Sequence, residues 1–198
     1  RLMEEELYQL LSGINDVLSE HGVSLVGGHT AEGLETSLGL MVTGTETGVS
    51  KEKSHARVGD SLILTKPIGT GAVLAAASVG GASAESMSFC FDQMDKSNFD
   101  AMKIFLDENV SALTDVTGYG LAGHLAEILR ASGCGVSLNL NSIPFLLGSP
   151  SLVKSGYTSS LQSSNEQVLL DFELKNGLSM SVPELKLLAD PQTAGGLL

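Results

Sequence analysis

Basic side chains are scarce in this sequence: 11 Lys and Arg stand against 23 Asp and Glu, a formal net charge of −12. Nucleic acid and anionic membrane surfaces both need clustered positive charge, so neither is expected as a partner. The deficit does not exclude a polyphosphate, because divalent cations or backbone N–H groups can supply the positive field. Cysteine is nearly as rare. Cys90 and Cys134 are the only two, in no metal-ligand spacing and beside no His or Lys that would mark a reactive thiol. A reduced, cytoplasmic setting follows, with both thiols behaving as small hydrophobes. No apolar run approaches the ~20 residues of a membrane span, and no secretory signal is present.

What remains is ordinary globular material. Of the 198 residues, 42% are apolar, enough for one large domain or two small ones. Arg1 opens directly into a helix-like segment and "TAGGLL" stops inside an apolar run, so the chain reads as a piece of a longer protein.

Residues 3–21 place Leu7, Leu10, Leu11, Ile14 and Leu18 at helical spacing, with acids early and Gly22 as a stop. "VSLV" then predicts a short strand ending in "GGHT" (27–30), and "TSLGLMVTGTE" (36–46) a second strand able to pair with it. The charged stretch 51–60 is the expected linker. Beyond it come a strand (61–67) that breaks at Pro67, a glycine-opened helix (69–78) and a weakly patterned Ser-rich and Gly-rich stretch (79–88). A helix over 91–110, the strand "ALTDV", the helix "YGLAGHLAEILRASG" and a strand over 136–140 follow. Residues 143–174 are turn-rich. The last fifteen residues predict a strand, an Asp-Pro turn and a glycine pair. Strands alternating with helices predict a layered α/β or α+β protein.

Four stretches could carry chemistry. In "GGHT", Gly27 and Gly28 allow close backbone approach to a phosphate, while His29 and Thr30 add a ring and a hydroxyl. The same four residues also make a hairpin turn, and local pattern favours the turn. "LTKPIGTG" (64–71) fails as a phosphate loop, because Lys66 precedes the glycines instead of following them. Its glycines suit strand-to-helix packing. In "LTDVTGYGLAGH" (113–124), Asp115 stands at a strand end, where it reads equally as a helix cap or as a Mg²⁺ ligand. His124, alone on the helix, reads as a packed residue. "DPQTAGG" (190–196) reads as a tight turn with glycines for close packing.

The order of these stretches resembles the selenophosphate synthetase (selenide, water dikinase) family, within the aminoimidazole ribonucleotide synthetase superfamily. The resemblance spans nearly the whole chain and thins between about Ile143 and Leu174. It implies an α+β fold of two domains: the end of an ATP-binding domain over 1–56, a helix plus strands that join a second subunit in a barrel, then an α/β domain over 57–198. The implied reaction turns ATP, selenide and water into selenophosphate, AMP and phosphate, with Mg²⁺ required and a homodimer as the working form. By motif, Gly27, Gly28, His29 and Thr30 match the segment that contacts the ATP phosphates. Asp115 matches a Mg²⁺-binding carboxylate. "LTKPIGTG" matches the join between domains, and "DPQTAGG" a core turn. The family's Cys or selenocysteine, its nearby Lys, its mobile glycine-rich loop and its other Mg²⁺-binding aspartates are expected before Arg1. No catalytic residue is therefore expected here, and the chain by itself is expected to be inactive. The rival expectations are another Mg-ATP enzyme of the superfamily, or a non-catalytic paralogue acting in dimerisation or regulation.

Overall fold

Helical spacing of Leu7, Ile14 and Leu18 behind early acids gives α1 (Leu2–Glu20), which Gly22 ends at a left-handed φ of 66°. The structure, a computed structural model, describes all residues except Arg1, Glu46, Thr47, Val49, Asn176 and Gly177, and all described side chains but those of Leu2 and Met3. It divides into two units, Arg1–Thr45 and Glu46–Leu198, each described by itself.

In the first unit α1 leaves Leu7, Ser12, Ile14 and Leu18 half-covered, as is His21 just after it, and residues 22–45 are exposed throughout. The strands expected at 23–26 and 36–46 do not form among the described residues (Glu46 lies outside them). The two runs are irregular chain with no ladder between them. An isolated pair of strands is marginal in water, because few of its backbone groups exchange water for a partner and no third layer covers its apolar face.

The second unit holds the core. Gly69 gives way to α2 (Thr70–Ser78), a short apolar helix buried at Ala72, Val73 and Ala76. In the weakly patterned stretch 79–88, residues 79–83 are turn and irregular chain and a helix begins at Ala84. Ser83 caps α3 (Ala84–Asp95) by accepting from the Ser86 N–H at 3.1 Å. The single helix expected over 91–110 is two, because the chain breaks at Lys96–Asn98 before α4 (Phe99–Asp107). After α5 (Gly120–Ser132), stopped by left-handed Gly133, the turn-rich region carries α6 (Ser149–Lys154), α7 (Gln162–Asn165) and a 3₁₀ turn (Glu166–Asp171). The strand expected from Glu184 is a helix, α8 (Pro183–Leu187). Pro183 sits in its first turn, where the missing N–H costs nothing.

Strand-like runs elsewhere in this unit stay extended without full ladders. The bridges present are Ile68 to Phe145, parallel, and Asp115 to Leu197, antiparallel. The last residues run between two such segments: Thr65 N–H donates to the Leu197 carbonyl at 3.0 Å, while Thr114 and Leu198 exchange bonds at 3.0 and 2.9 Å. Three residues of contact are too few for a strand. Around this seam, Ile68, Val116, Leu121, Leu125, Ile128, Leu185 and Leu188 form the main core. The structure is thus helix-rich rather than visibly layered α+β.

Candidate functional site

Asp115 sits on a backbone that is pinned on both sides. Before it, Thr114 pairs with Leu198. After it, the Val116 N–H donates to the Gly196 carbonyl at 2.9 Å. The Thr117 carbonyl accepts from Gln192 and Gly120 N–H at 3.0 and 2.9 Å. One residue on, the Gly118 carbonyl accepts from Asn165 Nδ2 at 2.8 Å. Val116 is fully buried, while the Asp115 side chain is exposed and makes no hydrogen bond or ion pair among the described residues.

Two glycines make this geometry possible. Gly120 enters α5 at φ 69°, and a Cβ there would meet the backbone of Ala189 and Asp190 at 2.8 Å. A Cβ on Gly195 would collide with the Val116 carbonyl oxygen and lie 2.9 Å from Gln192. The turn "DPQTAGG" therefore presses against the Asp115 loop at van der Waals contact, as a packing turn should.

The capping alternative for Asp115 can be placed directly. The residue before α5 is Tyr119, with no side-chain cap. The Ala122 N–H of the first turn is satisfied by the Leu188 carbonyl at 2.7 Å. Asp115 makes no capping bond.

His124 is buried on α5 and faces back toward the loop. Its Nε2 lies 3.2 Å from Thr117 Oγ1, and its Nδ1 lies 3.4 Å from Glu127 Oε2. Lys53 donates to that same Glu127 oxygen at 2.5 Å. The hydrogen bond from Lys53 holds the Glu127 carboxyl below its ordinary pKa, with the Lys53 charge and the neighbouring His124 ring adding to it. Sequence reading passed over the Thr117–His124 pair. The only available signal was a hydroxyl seven residues before a histidine, across a turn that folds them together.

The N–H groups at the glycine-opened start of α2 are already taken by the chain itself. Gln192 Oε1 accepts from Gly69 and Thr70 N–H at 2.9 and 3.2 Å, and Asp190 Oδ2 accepts from Gly71 N–H at 2.9 Å. The chain's own side chains occupy the helix terminus. Asp190 is fully buried, and desolvation raises its pKa to about 7 against the hydrogen bonds from Gln192, Gly71 and Ala72. Lys66, buried too, donates to the Lys96 and Ala194 carbonyls at 2.5 and 3.0 Å. Burial, helped by the nearby charge of Lys96, lowers its pKa. Lys66 is thus an internal clamp on the turn in which Ala194 takes a left-handed φ of 49°. Cys90 is fully buried with its thiol pKa pushed up by desolvation, and Cys134 is partly exposed.

Gly27, Gly28, His29 and Thr30 belong to the first unit, on exposed chain outside helix and strand. A Cβ on Gly27 or Gly28 would meet no heavy atom within 4 Å among the described residues, and neither has a positive φ. Nothing in the fold of the chain itself requires glycine at either position. Among the described residues no group of three or more His, Cys, Asp or Glu could hold a metal, so Asp115 is a solitary carboxylate. No described helix is long and apolar enough to cross a membrane. Beside the loop, a cleft of about 740 Å³ is lined by Gly71, Gly118, Tyr157, Ser160, Gln192 and Thr193.

Comparison with known proteins gives this arrangement a family. A protein named "Selenide, water dikinase" from Pelobacter propionicus is 38% identical over 97% of this chain, covering 55% of that protein. One of the same name from Trichlorobacter lovleyi is 38% identical over 100% of this chain and 57% of its own length. "Selenide, water dikinase 2" from Peptoclostridium acidaminophilum is 36% identical over 97% and 55%. The chain spans about half the length of the curated relatives it matches. Residues 57–186, which carry the Asp115 loop, most of the core and α8 as far as Lys186, match the family described as AIR synthase related protein, C-terminal domain. The chain belongs to that AIR synthase-related family.

Proposed function

We propose that the protein to which this chain belongs makes selenophosphate from ATP, selenide and water, releasing AMP and phosphate, and that Asp115 is one of its Mg²⁺ ligands. A single observation carries the reading: an exposed carboxylate without a partner among the described residues stands on a backbone pinned on both sides. A cap or a structural ion pair would use the carboxylate, and here it is left open. The names of the relatives supply the substrate class.

One carboxylate suits Mg²⁺, which keeps waters and substrate phosphates as its other ligands. Bound there, the ion would neutralise phosphate charge, the main requirement of phosphoryl transfer. The chain's own contribution is to hold the carboxylate in place: Gly196 and Gln192 bond the backbone of the two residues that follow it. Gly27, Gly28, His29 and Thr30 are assigned to the ATP phosphates, because glycines that packing does not demand leave N–H groups open to a ligand.

The domain division at residue 57, the dimer barrel completed by the strand-prone run 36–46, and a cytoplasmic setting belong to the same proposal. Val26 at 94% and Met41 at 92% exposure leave apolar β-forming surface that a second subunit would cover. The test is a substrate screen on the full-length protein. Selenide-dependent formation of AMP and selenophosphate supports the reading. Turnover of a purine-pathway ribonucleotide with none on selenide would replace it with the superfamily alternative. The 198-residue chain alone is expected to show no selenide-dependent AMP formation.

A further inference from the structure

Residues 51–56, just ahead of the matched family region, are tied to both flanks of the Asp115 loop. On one flank the Lys51 carbonyl accepts from the Leu113 N–H at 3.1 Å, two residues before Asp115. Ser132, at the end of α5, donates to the Lys53 carbonyl at 2.8 Å and accepts from the Ala56 N–H at 3.1 Å, which fixes the segment along that helix. On the other flank side chains make the link. Lys53 holds Glu127, Glu127 faces His124 Nδ1 at 3.4 Å, and His124 Nε2 meets the Thr117 hydroxyl at 3.2 Å, two residues after Asp115.

The Glu127 contact is close enough for electrostatic attraction but is not aligned as a hydrogen bond, and buried Nδ1 has no other partner among the described residues. The carboxylate nonetheless sets the tautomer. Negative charge beside Nδ1 places the proton there and leaves Nε2 as an acceptor. Thr117 then donates to the ring, which fixes its hydroxyl rotor and the loop that carries it.

We propose that His124 is a positioning residue for the cation site: held by Glu127 and Lys53, it locks the Thr117 hydroxyl and thereby the loop that presents Asp115. This rests on the reading of Asp115 as a Mg²⁺ ligand. Outer partners of a metal site that orient its inner ligands typically change metal affinity 10- to 100-fold when removed.

The experiment uses the full-length protein and the variants Thr117→Val, His124→Asn, the double variant, His124→Gln and Asp115→Asn. Two readouts are taken: the Mg²⁺ concentration that half-activates ATP turnover, and Mn²⁺ binding followed by electron paramagnetic resonance. Thr117→Val and His124→Asn should each raise both midpoints about tenfold with little change in kcat at saturating metal. The double variant should do no more than either single one, because both cut the same link. His124→Gln, which keeps an acceptor near the Nε2 position, should recover much of the loss. Unchanged midpoints, or losses that add in the double variant, overturn the proposal. If His124→Asn fails to fold, Thr117→Val, which removes one hydroxyl from a half-exposed position, decides the matter alone. Asp115→Asn separates the two readings. Unchanged metal dependence there removes the cation site and the proposal together, whereas a loss there with none at Thr117 and His124 removes the positioning role only.

Discussion

The two units of the chain use glycine and apolar surface in opposite ways. In Glu46–Leu198 the glycines that matter are forced by contact: Gly195 lies against the Val116 carbonyl and Gly120 against Ala189 and Asp190. Its core aliphatic side chains, such as Leu125 and Ile68, are sealed from water, although others, such as Val58 and Leu170, stay exposed. In Arg1–Thr45 the glycines of "GGHT" touch nothing, and Val26, Leu34, Met41 and Val42 stand in solvent. A region that fills its own interior explains its residues internally. The phosphate and second-subunit contacts proposed above fall on the region that does not.

Three comparisons test this contrast. The largest effect is expected at the core. Leu125→Ala should lower unfolding free energy by about 4 kcal/mol in denaturant titration, while Met41→Ser should leave it unchanged and weaken self-association in sedimentation. Equal losses from both would erase the distinction between the units. Gly195→Ala should cost about 3 kcal/mol, because the Val116 carbonyl cannot retreat without opening the seam with Leu198. Gly28→Ala should leave stability untouched and weaken ATP binding, read by calorimetry on the full-length protein. The smallest of the three concerns Asp190. Its folded pKa of about 7 exceeds the ordinary 3.8, so between those values the native state keeps a proton the unfolded state has lost. Stability therefore falls as pH rises from about 4 to about 7, and levels off above that. From pH 5 to pH 7 the Asp190 contribution is roughly 2 kcal/mol, and Asp190→Asn should flatten that part of the profile relative to the unaltered protein. A profile of identical slope in the variant would place the protonation elsewhere.

The same contrast explains how much could be read from the sequence. Helices α1, α2 and α5 were legible because their apolar spacing and their glycine boundaries are local signals. The strands were not, because β structure is completed by partners. The 36–46 run has strand composition but no pairing segment among the described residues, and the seam at Thr65, Thr114 and Leu198 is too short to register as a ladder. Helix α8 was misread from "ELKLL", five residues too short to show a period, where Pro183 decides the outcome. At the site, the order of the motifs pointed to Asp115 and to the family, while the Thr117–His124–Glu127 link and the burial of Asp190 exist only once the chain has folded.

Asp115→Asn in the full-length protein separates a loop held for a cation from a loop held for its own packing. Mg²⁺-dependent ATP turnover and melting temperature should be measured together. The predicted result is loss of turnover at an unchanged melting temperature, since the amide keeps the size of the side chain and removes the charge. Retained turnover with a loss of stability of about 1 kcal/mol, the size expected of a helix cap, would contradict it.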